Sequence, residues 1–115
     1  MRRGEIRLVD LDPARGSEAT MRRPAVVVSN DGANMSAERI GRGVVTVVPV
    51  TSTVARVYPF QVLLPAGECG LRHDSKAQAE QVRSVDVERV GPPIGRVPQG
   101  LLRVLDEALR LHLDL

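Results

Sequence analysis

Eighteen of the 115 residues are valine, and most stand in short runs bounded by glycine, proline or polar residues. A side chain branched at Cβ loses rotamer freedom in a helix and fits a pleated, half-buried surface, so this chain is committed to a small sheet. Residues 4–12 alternate well enough for a first strand, with Ile6 and Leu8 on one face and Val9 and Leu11 at neighbouring positions. Residues 24–29 and 43–50 are continuous apolar runs, the pattern of strands covered on both faces. Residues 60–64, 78–82 and 94–97 supply three further short strands. Pro49 has no N–H to contribute to a ladder, so the strand carrying it is expected to finish there or to lie at an edge.

Helical spacing is confined to two places. Residues 34–40 allow one short helix, with Ser36 as its N-cap and Glu38 in its first turn. From residue 98 to His112, a stripe of Leu101, Leu105 and Ala108 flanked by Leu102 and Leu109 marks an amphipathic helix. His112 falls on the stripe of Leu105, which suits an imidazole in a core or an interface. Four connections, 13–23, 30–42, 51–59 and 65–76, are long for hairpin turns, and function concentrates in such loops. Together these elements describe a mostly β fold with helical additions. The expectation is a small antiparallel barrel with a C-terminal α-helix, forming a single domain over residues 1–115.

Composition removes several classes. An ordinary 43% hydrophobic content and a net charge of +2 exclude a disordered chain. No apolar run approaches the ~20 residues of a membrane helix, and Met1-Arg2-Arg3-Gly4 leads into charged sequence rather than an apolar signal core. A soluble cytoplasmic protein without membrane attachment is therefore expected. Cys69 is the single cysteine, which excludes an internal disulfide, and no metal-ligand spacing suggests a zinc site. The basic side is 15 arginines and only Lys76, with nine arginines against six acids up to residue 60. Arginine presents a planar fork of donors that matches phosphate oxygens and stacks on bases. Generic catalytic signatures are absent, Asp10 and Asp12 read as a solvated face, and His73-Asp74 reads as a hydrophilic loop pair.

Three segments read as a set: Gly4-Glu-Ile-Arg-Leu-Val-Asp-Leu-Asp-Pro-Ala-Arg-Gly-Ser-Glu18, Arg22-Arg-Pro-Ala-Val-Val-Val-Ser29, and Val48-Pro-Val-Thr-Ser52 followed by Tyr58-Pro-Phe60. In this order and spacing they closely resemble the MazF/PemK family of toxin endoribonucleases, and the similarity continues through Gln81-Val-Arg-Ser84 and the terminal helix. The resemblance implies a small SH3-like barrel of the CcdB/PemK type. It also implies a ribosome-independent enzyme that needs no cofactor or metal and cuts single-stranded RNA at a short sequence. Such a toxin acts as a homodimer and is held inactive by a cognate antitoxin of the MazE type. The family's catalytic arginine and threonine carry over to Arg23 and Thr51, with Ser52 adjoining, and its Gly-Ser-Glu loop carries over to Ser17 and Glu18. One departure concerns Arg7, which stands where the first strand commonly carries an aromatic residue.

The residues support that chemistry on their own terms. RNA breaks when its 2′-hydroxyl attacks the adjacent phosphorus, so a protein must gather negative charge at the phosphate and manage two proton transfers. Arg23 offers a permanently charged fork, and Thr51 a hydroxyl that can donate to the same oxygens. The alternative is that Arg23 pairs with Glu18 and Thr51 caps a loop. Arginine is a poor general base, and the matched motif holds no histidine. Arg23 is therefore expected to stabilise charge and donate to the leaving 5′ oxygen, while water or Glu18 accepts the 2′ proton. Arg22 is expected at a flanking phosphate, Gln81 and Arg83 at the RNA from a neighbouring strand, and Tyr58 and Phe60 as the stacking platforms. A CcdB-like gyrase inhibitor and an inactive nucleic-acid or antitoxin-binding module are the alternatives. The gyrase poisons carry a C-terminal tryptophan, and this chain has none.

Overall fold

A computed structural model of the chain describes residues 1–12 and 21–115. The element order is β1 (Glu5–Asp12), β2 (Met21–Val27), α1 (Asp31–Ile40), β3 (Val44–Thr51), β4 (Gln61–Leu64), α2 (Ala66–Cys69), β5 (Ser75–Gln78), β6 (Arg83–Asp86), β7 (Val90–Arg96) and α3 (Gln99–Leu113). Every strand pairing is antiparallel. The main path runs β4-β5-β3-β2-β1-β7, and β6 joins β3 beside β5. The architecture is the mostly β sheet with a C-terminal helix that the sequence predicts. Among the described residues no helix is long and apolar enough to cross a membrane.

The continuous valine runs are covered on both faces, as their pattern predicts. Val45 and Val47 of β3 pack with Val9, Ala25, Val27 and Val85 beneath α1, whereas Val48 and Val50 pack with Ile6, Val26 and Leu64 beneath α3. Alternation along one strand therefore feeds two separate cores.

Pro49 departs from expectation: β3 continues to Thr51 and is an interior strand. Val28 N–H donates to the Thr46 carbonyl at 2.9 Å, so by the two-residue alternation of an antiparallel ladder Pro49, opposite Ala25, occupies a position whose N–H would point away from β2. On that outer edge β6 covers Val44 to Val47 and β5 covers Val50 and Thr51. The missing donor thus falls in the gap between two partners. The predicted strand over 78–82 is corrected for the same reason. A 3₁₀ turn, Ala79–Gln81, carries the chain across that gap and separates β5 from β6. The last strand also begins earlier than residues 94–97, at Val90.

The short helix starts before its predicted Ser36 cap. Asn30 is the N-cap, its side chain accepting from Ala33 N–H at 2.8 Å, and Ser36 lies inside the helix. Asn34 is fully buried and donates to the Ser29 carbonyl at 2.8 Å, while Ser29 Oγ accepts from Thr46 N–H at 3.0 Å. This polar link pins α1 to β3. Gly4, at φ +96°, lets the chain pass beneath α3, where a Cβ would meet Leu102 Cδ2 at 3.3 Å. Arg3 joins the same region by donating to the Val28 carbonyl and pairing with Asp106 at 2.6 Å.

On α3, Leu102, Leu105 and Ala108 are buried and Leu101 and Leu109 half-buried, matching the predicted stripe. His112 is exposed, because the last turn carries no residue into the core. Arg7 neither faces solvent nor offers a stacking surface. It pairs with Glu5 at 2.9 Å and donates to the Gly91 carbonyl at 3.1 Å, tying β1 to β7.

Burial alone would push the Glu5 carboxyl up, but the Arg2 N–H and the Arg7 guanidinium together outweigh it and hold the carboxyl below its ordinary 4.5. A depressed folded value means this contribution is present above the unfolded pKa and is lost as pH falls through the folded one. Glu5→Gln is expected to cost about 1 kcal/mol at neutral pH. In urea melts, that difference from the parent shrinks as pH drops below 4.5.

Candidate active site

β2 and β3 run antiparallel with Ala25 opposite Pro49, and continuing that register by two residues places Arg23 opposite Thr51. The pair stands at the end of β3, where the strand gives way to the long 52–60 loop, so it is reached from both sides of the sheet. One side is a cleft of about 650 Å³. Its floor is apolar, made by Leu8, Pro24, Val50, Leu71 and Ile94, and its rim carries Arg23, Thr51, Ser52, Arg72, His73 and Ser75. The other side is a cleft of about 350 Å³, where Arg23 and Thr51 meet Gln78, Gln81 and Arg83. The two residues singled out as catalytic are therefore shared by two adjoining clefts.

Local bonds explain how these side chains are held. Thr51 Oγ1 accepts from Thr53 N–H at 3.2 Å, so it does cap the loop, and its own proton stays available to a ligand. Arg83 donates to the Leu11 carbonyl at 3.0 Å, which anchors it on the wall of the smaller cleft rather than in an ion pair. Among the described residues no carboxylate lies within ion-pair distance of Arg23. The expected Glu18 partner, like Ser17, lies outside the described residues.

Arg22 is placed elsewhere. Successive strand residues face opposite ways, and Arg22 lines a third cleft with Asp10, Glu88 and Arg89. Its guanidinium packs over Gly91, where a Cβ would meet Arg22 Nη1 at 2.7 Å. Asp10 is correspondingly half-buried, with Oδ1 out of solvent, and is not part of a solvated face. Tyr58 and Phe60 stack on each other, centroids 5.3 Å apart and planes 3° from parallel, and line neither of the clefts that hold Arg23. The Arg56 guanidinium lies 5.6 Å from the Tyr58 centroid, and Lys76 Nζ donates to the Arg56 carbonyl at 2.7 Å, holding the loop from below.

Gln78, Arg72 and His73 were not among the sequence candidates, yet they line the clefts. Nothing local marks them. Arg72 and His73 reach the rim because the turn after α2 is pressed against β7: a Cβ on Gly95 would stand 2.3 Å from the Cys69 carbonyl oxygen. That backbone approach is a contact between segments some 25 residues apart, which a linear pattern does not display. Cys69 itself is buried, its thiol pushed up by burial and by the neighbouring Glu68 charge, and takes no part in the clefts.

Residues 2–113 match the family model described as PemK-like, MazF-like toxin of type II toxin-antitoxin system. The chain belongs to this family. Endoribonuclease MazF9 of Mycobacterium tuberculosis is 70% identical over 115 residues, covering 100% of this chain and 98% of that relative. The crystal structure of MazF (Form-I) from Deinococcus radiodurans is 28% identical with a TM-score of 0.77, covering 100% of this chain and 97% of that one. The MazE-MazF structure (Form-II) from the same organism, 27% identical with a TM-score of 0.74, covers 98% and 94%. The PemK-like fold is thus shared over essentially the full length of the toxin.

Proposed function

We propose that this toxin endoribonuclease cuts single-stranded RNA at a short sequence by transesterification at the Arg23/Thr51 pair, leaving 2′,3′-cyclic phosphate and 5′-hydroxyl ends. The observation that carries this reading is that Arg23 and Thr51 together line both of two adjoining clefts. A phosphate seated between them has the guanidinium fork on one side and a hydroxyl donor on the other. Both groups strengthen their bonds as the phosphorane gains charge. The nucleophile is the RNA's own 2′-hydroxyl, so no metal-activated water is needed.

The larger cleft has the size and the apolar floor that suit one base, with Ser52 and Ser75 able to hydrogen-bond its edge. Gln81 and Arg83 in the smaller cleft hold the backbone on the other side of the scissile bond, while Tyr58 and Phe60 offer an exposed stack to a base further along. Arg22 meets only a strand long enough to reach its separate cleft, and Ser17 and Glu18 join from the 13–20 loop. Residues 1–115 act as one cytoplasmic toxin domain, paired as a homodimer. A MazE-type antitoxin, acidic and partly disordered, neutralises the arginine-rich groove by covering it.

The test is incubation of the purified protein with a long single-stranded RNA in EDTA, followed by mapping of the ends. Discrete cuts carrying cyclic phosphate are expected, and their loss in Arg23→Ala. Intact RNA together with inhibited supercoiling by gyrase would instead support the CcdB-like alternative.

A further inference from the structure

We propose that His73 takes the proton from the attacking 2′-hydroxyl. This rests on the transesterification reading above and supplies the acceptor that Arg23 and Thr51 do not provide. Among the described residues lining either cleft, the charged and polar side chains other than His73 are guanidinium, hydroxyl and amide groups, which are poor proton acceptors. His73 alone brings an imidazole, whose ring nitrogen is a proton acceptor. Glu80 lines neither cleft, and its Oε2 accepts from the Gln61 amide at 2.7 Å.

The segment carrying His73 is held by two bonds on its C-terminal side. The His73 carbonyl accepts from Ser75 Oγ at 3.0 Å, and Asp74 Oδ1 accepts from Ala66 N–H at 2.8 Å. Neither bond engages the imidazole, which is exposed and lines the cleft shared with Arg23 and Thr51. The charged group that shares the cleft with it from another element is Arg23 of β2; Arg72 and Asp74 are its chain neighbours, Asp74 Oδ1 being held by Ala66 N–H, while Thr51 of β3, Ser52 just beyond it and Ile94 of β7 are uncharged.

In the step itself the 2′ oxygen forms its bond to phosphorus as the imidazole removes its proton. The P–O5′ bond breaks, and the 5′ oxygen keeps the electron pair, accepts a hydrogen bond from Arg23 and is protonated by water. The imidazolium returns its proton to the hydroxide so formed, and no co-reactant is consumed.

Single-turnover cleavage of one RNA between pH 5 and 9 by the parent, His73→Gln, His73→Ala, Glu18→Gln and Arg23→Ala tests this. The parent rate should rise with pH to a plateau. His73→Gln should lose about a hundredfold in kcat with KM nearly unchanged and the same cut sites, and its rising limb should vanish. Added imidazole should restore part of the His73→Ala rate. Full activity with an unchanged limb in His73→Gln, or loss of the limb in Glu18→Gln instead, would overturn the assignment while leaving the Arg23 site standing. Normal cutting by Arg23→Ala would overturn the site reading itself, and this step with it.

Discussion

Arg23→Ala is expected to slow single-turnover RNA cleavage by about a thousandfold, near 4 kcal/mol of transition-state stabilisation, the size found when one preorganised donor to developing charge is removed. Arg23 and Thr51 together line two clefts, and among the described residues no carboxylate pairs with the Arg23 guanidinium. Arg23→Lys separates charge from geometry. An ammonium keeps the charge but not the planar two-pronged fork, so it should recover only about tenfold of the loss. Substrate affinity should fall far less than the rate, because the phosphate gains its extra charge only in the transition state. A few-fold effect of Arg23→Ala would remove the guanidinium from the chemistry.

Leu105→Ala should destabilise the fold by about 2–5 kcal/mol, the range for truncating a buried leucine. Leu105 is completely buried among Ile6, Leu64, Val97 and Leu102, so the deletion leaves a cavity between α3 and the sheet. Leu105 itself therefore has no surface to offer a dimer contact, which the sequence places on apolar surface near Leu105 and Leu109. The half-buried Leu109 packs against the same core. The exposed apolar side chains that α3 can offer a homodimer are Val104, Leu111 and Leu113. Urea melts at two protein concentrations check the distinction. The Leu105→Ala loss should be the same at both, while Val104→Ser should change only the concentration-dependent component. A Leu105→Ala variant as stable as the parent would contradict the packing.

Valine runs and the C-terminal leucine stripe were readable because their information is local. A strand alternates every two residues and a helix returns every 3.6, so short windows reveal which side chains share a face. The motif around Arg23 and Thr51 was readable for a related reason: order and spacing along three segments identify the family. The edge behaviour of β3 was not readable. Pro49 looks like a terminator when taken alone and is tolerated only because β5 and β6 meet the same strand with a gap between them. That gap also turned a predicted strand over 78–82 into the 3₁₀ turn Ala79–Gln81.

The sequence by itself determined a valine-built sheet, a closing amphipathic helix and the toxin family, and it singled out Arg23 and Thr51 as candidates. Tertiary structure alone decided which residues surround that pair. Arg22 and Arg23 are neighbours in the chain, yet Arg22 lines a separate cleft with Asp10, its partner across β1, and with Glu88 and Arg89. His73 and Arg23 are fifty residues apart and share one cleft, because the turn after α2 closes onto β7 at Gly95. Local periodicity fixes the direction of a side chain relative to its own strand; only the packing of distant segments decides what it faces.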